Sequence, residues 1–103
     1  MKSKYITDEY GNKESLDTQG RLHSFDDKPA WIGVYGTKIW FKHGELHRAG
    51  DKPARIWPDV YKAWYKNGKR HRDGDKPAWI WSDGSKEYWK NGERYYPKEA
   101  KDD

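Results

Sequence analysis

The chain has 103 residues, room for one small domain. Only 33% of them are hydrophobic, yet 7 Trp and 8 Tyr are present, which argues against a deep aliphatic core while leaving rings that can each bury roughly 150–250 Å². Cysteine is absent, excluding a disulfide frame and thiolate chemistry, and the net charge of +4 is small for a protein that tracks a polyanion.

The N-terminal stretch Met1-Lys2-Ser3-Lys4-Tyr5 lacks the apolar centre of a secretory signal. No apolar run approaches the roughly 20 residues needed to cross a bilayer. The expectation is a cytoplasmic protein with no membrane partner. Residues 1–22 read as a degenerate capping repeat: Tyr10-Gly11-Asn12-Lys13 parallels Tyr35-Gly36-Thr37-Lys38, and Gln19-Gly20 parallels His43-Gly44.

Residues 23–94 hold three units of 24 residues, His23–Leu46, His47–Arg70 and His71–Arg94, each carrying Asp-Lys-Pro-Ala, at 27–30, 51–54 and 75–78. A fixed period of this size denotes a repeat architecture. Each box prepares a strand. Proline pushes the preceding Lys towards extended geometry, and the Asp carboxylate can accept a backbone hydrogen bond two residues on. Ala and Ile then alternate without change (30/32, 54/56, 78/80), which points that face inward, whereas the position between them is Trp31, Arg55 and Trp79. A site that tolerates a cation is expected to face solvent.

A turn follows (Tyr35-Gly36, Pro58-Asp59, Asp83-Gly84), then a second strand with adjacent aromatics (Trp40-Phe41, Trp64-Tyr65, Tyr88-Trp89), then a second turn (His43-Gly44, Asn67-Gly68, Asn91-Gly92). Asp-Gly and Asn-Gly suit type I′ hairpins, in which both central residues have positive φ. Adjacent aromatics put rings on both faces of a sheet, and cross-strand packing is their commonest use. Lys38, Lys62 and Lys86, with Lys42, Lys66 and Lys90, stand two residues from a ring, within reach of cation–π contact. No stretch has the helical period. The fold class is therefore all-β: tandem antiparallel hairpins of period 24 in one elongated twisted sheet, followed by a charged tail, 95–103.

The frame Asp83-Gly84-Ser85-Lys86-Glu87-Tyr88-Trp89-Lys90-Asn91-Gly92-Glu93-Arg94, with the join before it, Lys66-Asn67-Gly68-Lys69-Arg70-His71-Arg72-Asp73-Gly74-Asp75-Lys76-Pro77-Ala78, resembles the MORN repeat and its bacterial and phage variants. It departs from them in carrying Asp-Lys before Pro-Ala, and in having Ile39, Ala63 and Glu87 where the MORN strand has its inner glycine. The resemblance covers about residues 10–96. It implies a row of hairpins used for binding, in a role such as that of a small inhibitor or adaptor acting on a host protein.

Catalysis finds little support. His23, His47 and His71 recur every 24 residues, so equivalents lie about 9–10 Å apart across two strand spacings, too far to share one ion. Without a nucleophile, a His-Asp pair is a hydrogen bond. No catalytic residue, metal ligand or cofactor is expected.

Charge singles out the middle repeat, which sets Arg48, Lys52, Arg55, Lys62, Lys66, Lys69 and Arg70 against Asp51 and Asp59. Trp and Arg dominate interface energetics. The candidate binding residues are Trp31, Arg48, Arg55, Trp57, Lys62, Trp64, Lys66, Arg70, Arg72 and Trp79. The partner they imply is a protein with an acidic surface; a nucleic acid or nucleotide stacked on the rings is the alternative. Exposed sheet edges also allow self-association.

Overall fold

The structure, a computed structural model, describes residues 4–98, so positions 1–3 and the part of the tail at 99–103 lie outside the described residues. Thirteen antiparallel strands and no helix are present among them: β1 (Tyr5–Thr7), β2 (Lys13–Ser15), β3 (Trp31–Ile32), β4 (Lys38–Ile39), β5 (Phe41–Lys42), β6 (Glu45–Leu46), β7 (Arg55–Trp57), β8 (Tyr61–Ala63), β9 (Tyr65–Lys66), β10 (Lys69–Arg70), β11 (Trp79–Trp81), β12 (Lys86–Lys90) and β13 (Glu93–Tyr95). Nine form one open sheet in the order β1-β2-β3-β4-β7-β8-β11-β12-β13, and β5-β6 and β9-β10 form two small ladders beside it. The molecule measures 44 × 25 × 19 Å, the proportions of a slab one sheet thick.

The first two repeats leave the main sheet at an aromatic residue, whereas in the third β12 runs unbroken through Tyr88 and stays in the sheet with β13. Trp40 N–H bonds Ala54 O in the next repeat, while Trp40 O accepts from His47 N–H; Trp64 does the same with Ala78 and His71. One strand is thus shared between two partners, and the chain steps forward by one hairpin.

The two turns differ. At the second, His43 and Gly44 (φ 45° and 86°), Asn67 and Gly68 (51° and 82°) and Asn91 and Gly92 (52° and 83°) are all left-handed, as a type I′ turn requires. The first turn is not of this kind. Only Gly36 (94°) and Gly84 (92°) have positive φ there, and Gly36 N–H→Gly33 O and Gly84 N–H→Trp81 O close a type I turn followed by a glycine bulge. In the middle repeat Pro58 precedes Asp59 at φ 63°, a type II arrangement.

Strand alternation gives the sheet two unlike faces. On one, cross-strand neighbours run Lys13–Ile32–Lys38–Ile56–Lys62–Ile80–Lys86. Beside that row lie Ala30, Ala54 and Ala78, all fully buried, with Trp40 and Trp64 buried between them. This face keeps the period: small Ala makes room for a large ring, and the Ala cannot grow. On the other face the neighbours run Glu14–Trp31–Ile39–Arg55–Ala63–Trp79–Glu87, with Trp57–Tyr61–Trp81 alongside. Here nearly every position changes from repeat to repeat.

The expectation that position 31/55/79 faces solvent is corrected. Trp79 is only 7% exposed, and Trp31 and Arg55 are half-buried. Tyr61 stacks on Trp79 at 4.5 Å and Trp81 lies 5.4 Å from it, so a cation is tolerated at this position because its stem lies among rings.

Candidate functional site: a face that breaks the repeat

The period-keeping face is held by a clamp that occurs twice. Asp27 (φ 55°) accepts Arg48 Nε at 2.9 Å and Lys52 Nζ at 2.8 Å, while Arg48 NH1 bonds Pro53 O and its guanidinium lies 3.7 Å from the Trp40 ring centre. Asp51 (54°) holds Arg72 Nε at 2.9 Å and Lys76 Nζ at 3.0 Å; Arg72 NH1 bonds Pro77 O and the guanidinium lies 4.0 Å from Trp64. The indole N–H groups of Trp40 and Trp64 return to the Asp27 and Asp51 carbonyls. The box Asp therefore reaches into the following repeat, and its carboxylate serves that contact. Both carboxyls sit below the usual range because of these cations, Asp27 at about 2.

The recurrent histidines are also internal fittings. Nδ1 of His23, His47 and His71 accepts the N–H of the left-handed turn residue 20 positions on, His43, Asn67 and Asn91. With Nδ1 accepting, the proton sits on Nε2, and in His71 that proton goes to Asp73 at 2.7 Å. Burial, then neighbouring cations, hold His47 below its ordinary value; burial, then His43, does so for His23.

Sequence reasoning missed one cluster. One donor atom from each of Asp17, His23 and His43 lies within 4.8 Å of the others. Its signal was a double break in period: Asp17 stands where Phe41, Tyr65 and Trp89 stand in the repeats, and His43 where Asn67 and Asn91 do. The donors are already engaged. Asp17 Oδ2 accepts from His43 Nδ1 (2.8 Å) and Arg21 Nε (2.9 Å), Asp17 Oδ1 accepts two backbone N–H groups, and His23 Nδ1 holds the His43 N–H. The cluster closes as a hydrogen-bonded group that joins the cap to the first repeat.

The ten candidate residues divide between the faces. Arg48, Lys62, Trp64, Lys66 and Arg72 belong to the repeating face: Arg48 and Arg72 are the clamp cations, Trp64 is buried, and Lys62 and Lys66 are exposed. Trp31, Arg55, Trp57, Arg70 and Trp79 belong to the other face.

There the middle and last repeats bring together a continuous aromatic–cationic cluster. Trp57, 47% exposed, meets Tyr61 edge-on at 5.7 Å, and Tyr61 packs against both Trp79 and Trp81. Arg70 lies between Trp79 (4.6 Å) and Trp89 (4.7 Å) and bonds Tyr65 Oη, and the Arg55 guanidinium is 5.8 Å from the Tyr61 ring. Glu87 accepts the indole N–H groups of Trp81 and Trp89. Burial raises its pKa, but these two bonds, with Arg94 and Arg70, outweigh that and hold it low. Arg55 Nε and Trp79 Nε1 are buried donors with no hydrogen-bond partner among the described residues. At the turn edge, a depression of about 410 Å³ is lined by Ile56, Trp57, Pro58, Tyr61, Lys62 and Trp81.

Fold and site together define an all-β hairpin-repeat protein with one uniform face and one individual face. No family model, curated protein or solved structure matches the chain. Among the described residues no helix is long and apolar enough to cross a membrane.

Proposed function

We propose that this protein is a non-catalytic protein-interaction module that docks a partner with an acidic surface through the face carrying Arg55, Trp57, Tyr61, Arg70 and Trp81. One observation carries the reading: this face abandons the 24-residue period that the opposite face obeys. Position 33/57/81 is Gly, Trp, Trp; 39/63/87 is Ile, Ala, Glu; 46/70/94 is Leu, Arg, Arg. Architecture alone asks for the same residue each time, as Ala30, Ala54 and Ala78 illustrate. The exposed Trp57 supports the same reading, since a binding surface is where a fold leaves apolar area uncovered. The resemblance of the frame to MORN arrays, an inhibitor or adaptor role included, points the same way.

A protein is favoured over a nucleic acid because the rings beside Arg70 are already covered. With Arg70 seated between Trp79 and Trp89, neither ring offers an open platform to a base on that side. The test is affinity capture from lysate of the source cell with wild type, Trp57→Ala, Arg55→Glu and, as control on the repeating face, Lys38→Ala. The expected result is one stoichiometric protein, lost with the first two variants and kept with the third. Capture of nucleic acid instead, with affinity falling steeply against log salt, overturns the reading.

A further inference from the structure

The clamp that holds Arg48 and Arg72 has a third copy, and its own chain does not supply the arginine. Stepping 24 residues on, Asp27 and Asp51 become Asp75, and Trp40 and Trp64 become Tyr88. The position of Arg48 and Arg72 becomes Tyr96, and that of Lys52 and Lys76 becomes Ala100. The acceptor half is nevertheless built. Asp75 has φ 53°, against 55° and 54° in the filled copies, and it leads into the same proline and the same fully buried alanine, Ala78. What touches the carboxylate is weaker than in the filled copies. Tyr95 Oη donates to Asp75 Oδ1 at 3.2 Å and Lys90 Nζ stands 3.8 Å away. The Asp75 side chain is 70% exposed, compared with 43% and 44% for Asp27 and Asp51. Among the described residues no arginine stands over the Tyr88 ring: the Tyr95 ring packs edge-on against it at 6.0 Å, so an entering side chain displaces Tyr95, and Arg94 lies over Tyr96.

We propose that Asp75 and Tyr88 form an arginine-accepting site, into which a protein partner inserts one side chain as Arg48 and Arg72 insert into the two preceding copies. The ligand class follows from those copies. A planar cation offers two N–H groups to the carboxylate while its face lies on the ring, a geometry that guanidinium satisfies and ammonium does not. Tyrosine serves as the ring, less strongly than Trp. The site belongs to the repeating face at its C-terminal end and does not depend on the individual face of the sheet.

The experiment uses the full chain and N-acetyl-arginine methylamide as probe, with the lysine and citrulline analogues as controls, followed by amide chemical shifts. The arginine probe is expected to give saturable shifts at Gly74–Lys76 and Tyr88, with a dissociation constant on the order of millimolar, as one side chain allows. Lysine binds several-fold less tightly and citrulline not at all. Asp75→Asn removes the shifts. Tyr96→Arg, which supplies the missing side chain in cis, also removes them and raises Tm by roughly 4 °C or more. Overturning results are absence of saturation, equal response to lysine and arginine, retained shifts in Asp75→Asn, or Tyr96→Arg leaving both Tm and probe binding unchanged.

Discussion

Replacing Arg72 by Met keeps the hydrocarbon stem and deletes the charge, and the structure sets the size of the loss. The guanidinium bonds Asp51 through Nε (2.9 Å) and NH2 (3.4 Å), donates NH1 to Pro77 O at 3.0 Å, and stacks on Trp64 at 4.0 Å. A hydrogen bond to a charged group contributes about 1.5–3 kcal/mol when desolvated. Asp51 is 44% exposed and keeps Lys76 at 3.0 Å, so solvent screening brings that contribution down to about 1 kcal/mol. The carbonyl bond contributes about 1 kcal/mol and the ring contact about 0.5–1 kcal/mol. The expected cost of Arg72→Met is therefore about 2–3 kcal/mol, or a Tm lower by roughly 10–20 °C for a domain of this size. Urea unfolding followed by tryptophan fluorescence measures it. Because the same clamp recurs, Arg48→Met is expected to cost the same within about 0.5 kcal/mol, and Lys62→Met, an exposed cation outside both clamps, less than about 0.5 kcal/mol. A cycle of Arg72→Met with Asp51→Asn is expected to give about 1 kcal/mol of coupling. A cost for Arg72→Met no larger than for Lys62→Met would refute the clamp as a structural unit.

Acid sensitivity has two stages. His23 and His47 titrate below 6.5 when folded, so as pH falls past 6.5 the unfolded chain takes up protons first and stability drops, levelling once pH passes the folded values. A second loss begins near 3.8 and runs down to about 2 as Asp27 protonates, with Asp51 contributing in the same direction. Urea midpoints between pH 8 and 2 track both, and a flat profile from pH 7 to 5 would contradict the histidine assignment. His47→Ala removes the acceptor for Asn67 N–H and is expected to cost about 1–2 kcal/mol in the same assay. Ala54→Leu adds bulk at a fully buried position and is expected to cost about 1–3 kcal/mol or more; a neutral result would show room the packing does not have. At Asn67 (φ 51°), Gly is expected to be neutral within about 0.5 kcal/mol while Val costs about 1–2 kcal/mol, read from thermal unfolding.

The architecture was legible because hairpin arrays are built from near neighbours. Turn chemistry at Asn67-Gly68 and alternation at Ala54/Ile56 are local, and a period repeats them. Less legible was anything that reaches some twenty residues along the chain. Asp51 meets a cation 21 residues on and His47 a backbone N–H 20 residues on. These are distances at which a local reading assigns the carboxylate to its own loop and the imidazole to a nearby acid. The co-recurrence of Asp, Arg and Lys at offsets of 21 and 25 held that signal. The outward assignment of Trp79 failed for a different reason. Tolerance of Arg55 at the equivalent position suggests water when the sequence is read alone, whereas a guanidinium on a long stem is at home among rings. The candidate residues spread over both faces because composition and charge do not separate odd from even positions along a strand; register does.

That separation also changes what recurrence means in this chain. Of the residues that return at 24, Asp51 and Arg72 bond each other across repeats, Ala54 and Trp64 meet Trp40 and Arg72 of neighbouring repeats, and His47 holds the second turn of its own repeat, so periodicity at these positions marks structure. Individual chemistry has to be sought where the period fails, and it fails in two ways. On the variable face, substitutions such as Gly33 to Trp57 and Leu46 to Arg70 add rings and charge to a sheet that is already complete without them. At the C-terminal copy, the change from Arg72 to Tyr96 removes the one residue a built clamp was shaped for. The first kind of departure creates a surface and the second leaves a socket, and the two lie on opposite faces of a slab 19 Å thick. A variant carrying Tyr96→Arg is therefore expected to leave capture through Trp57 intact, and Trp57→Ala to leave arginine binding at Asp75 intact. Loss of both functions from either change alone would mean that the two faces are not independent.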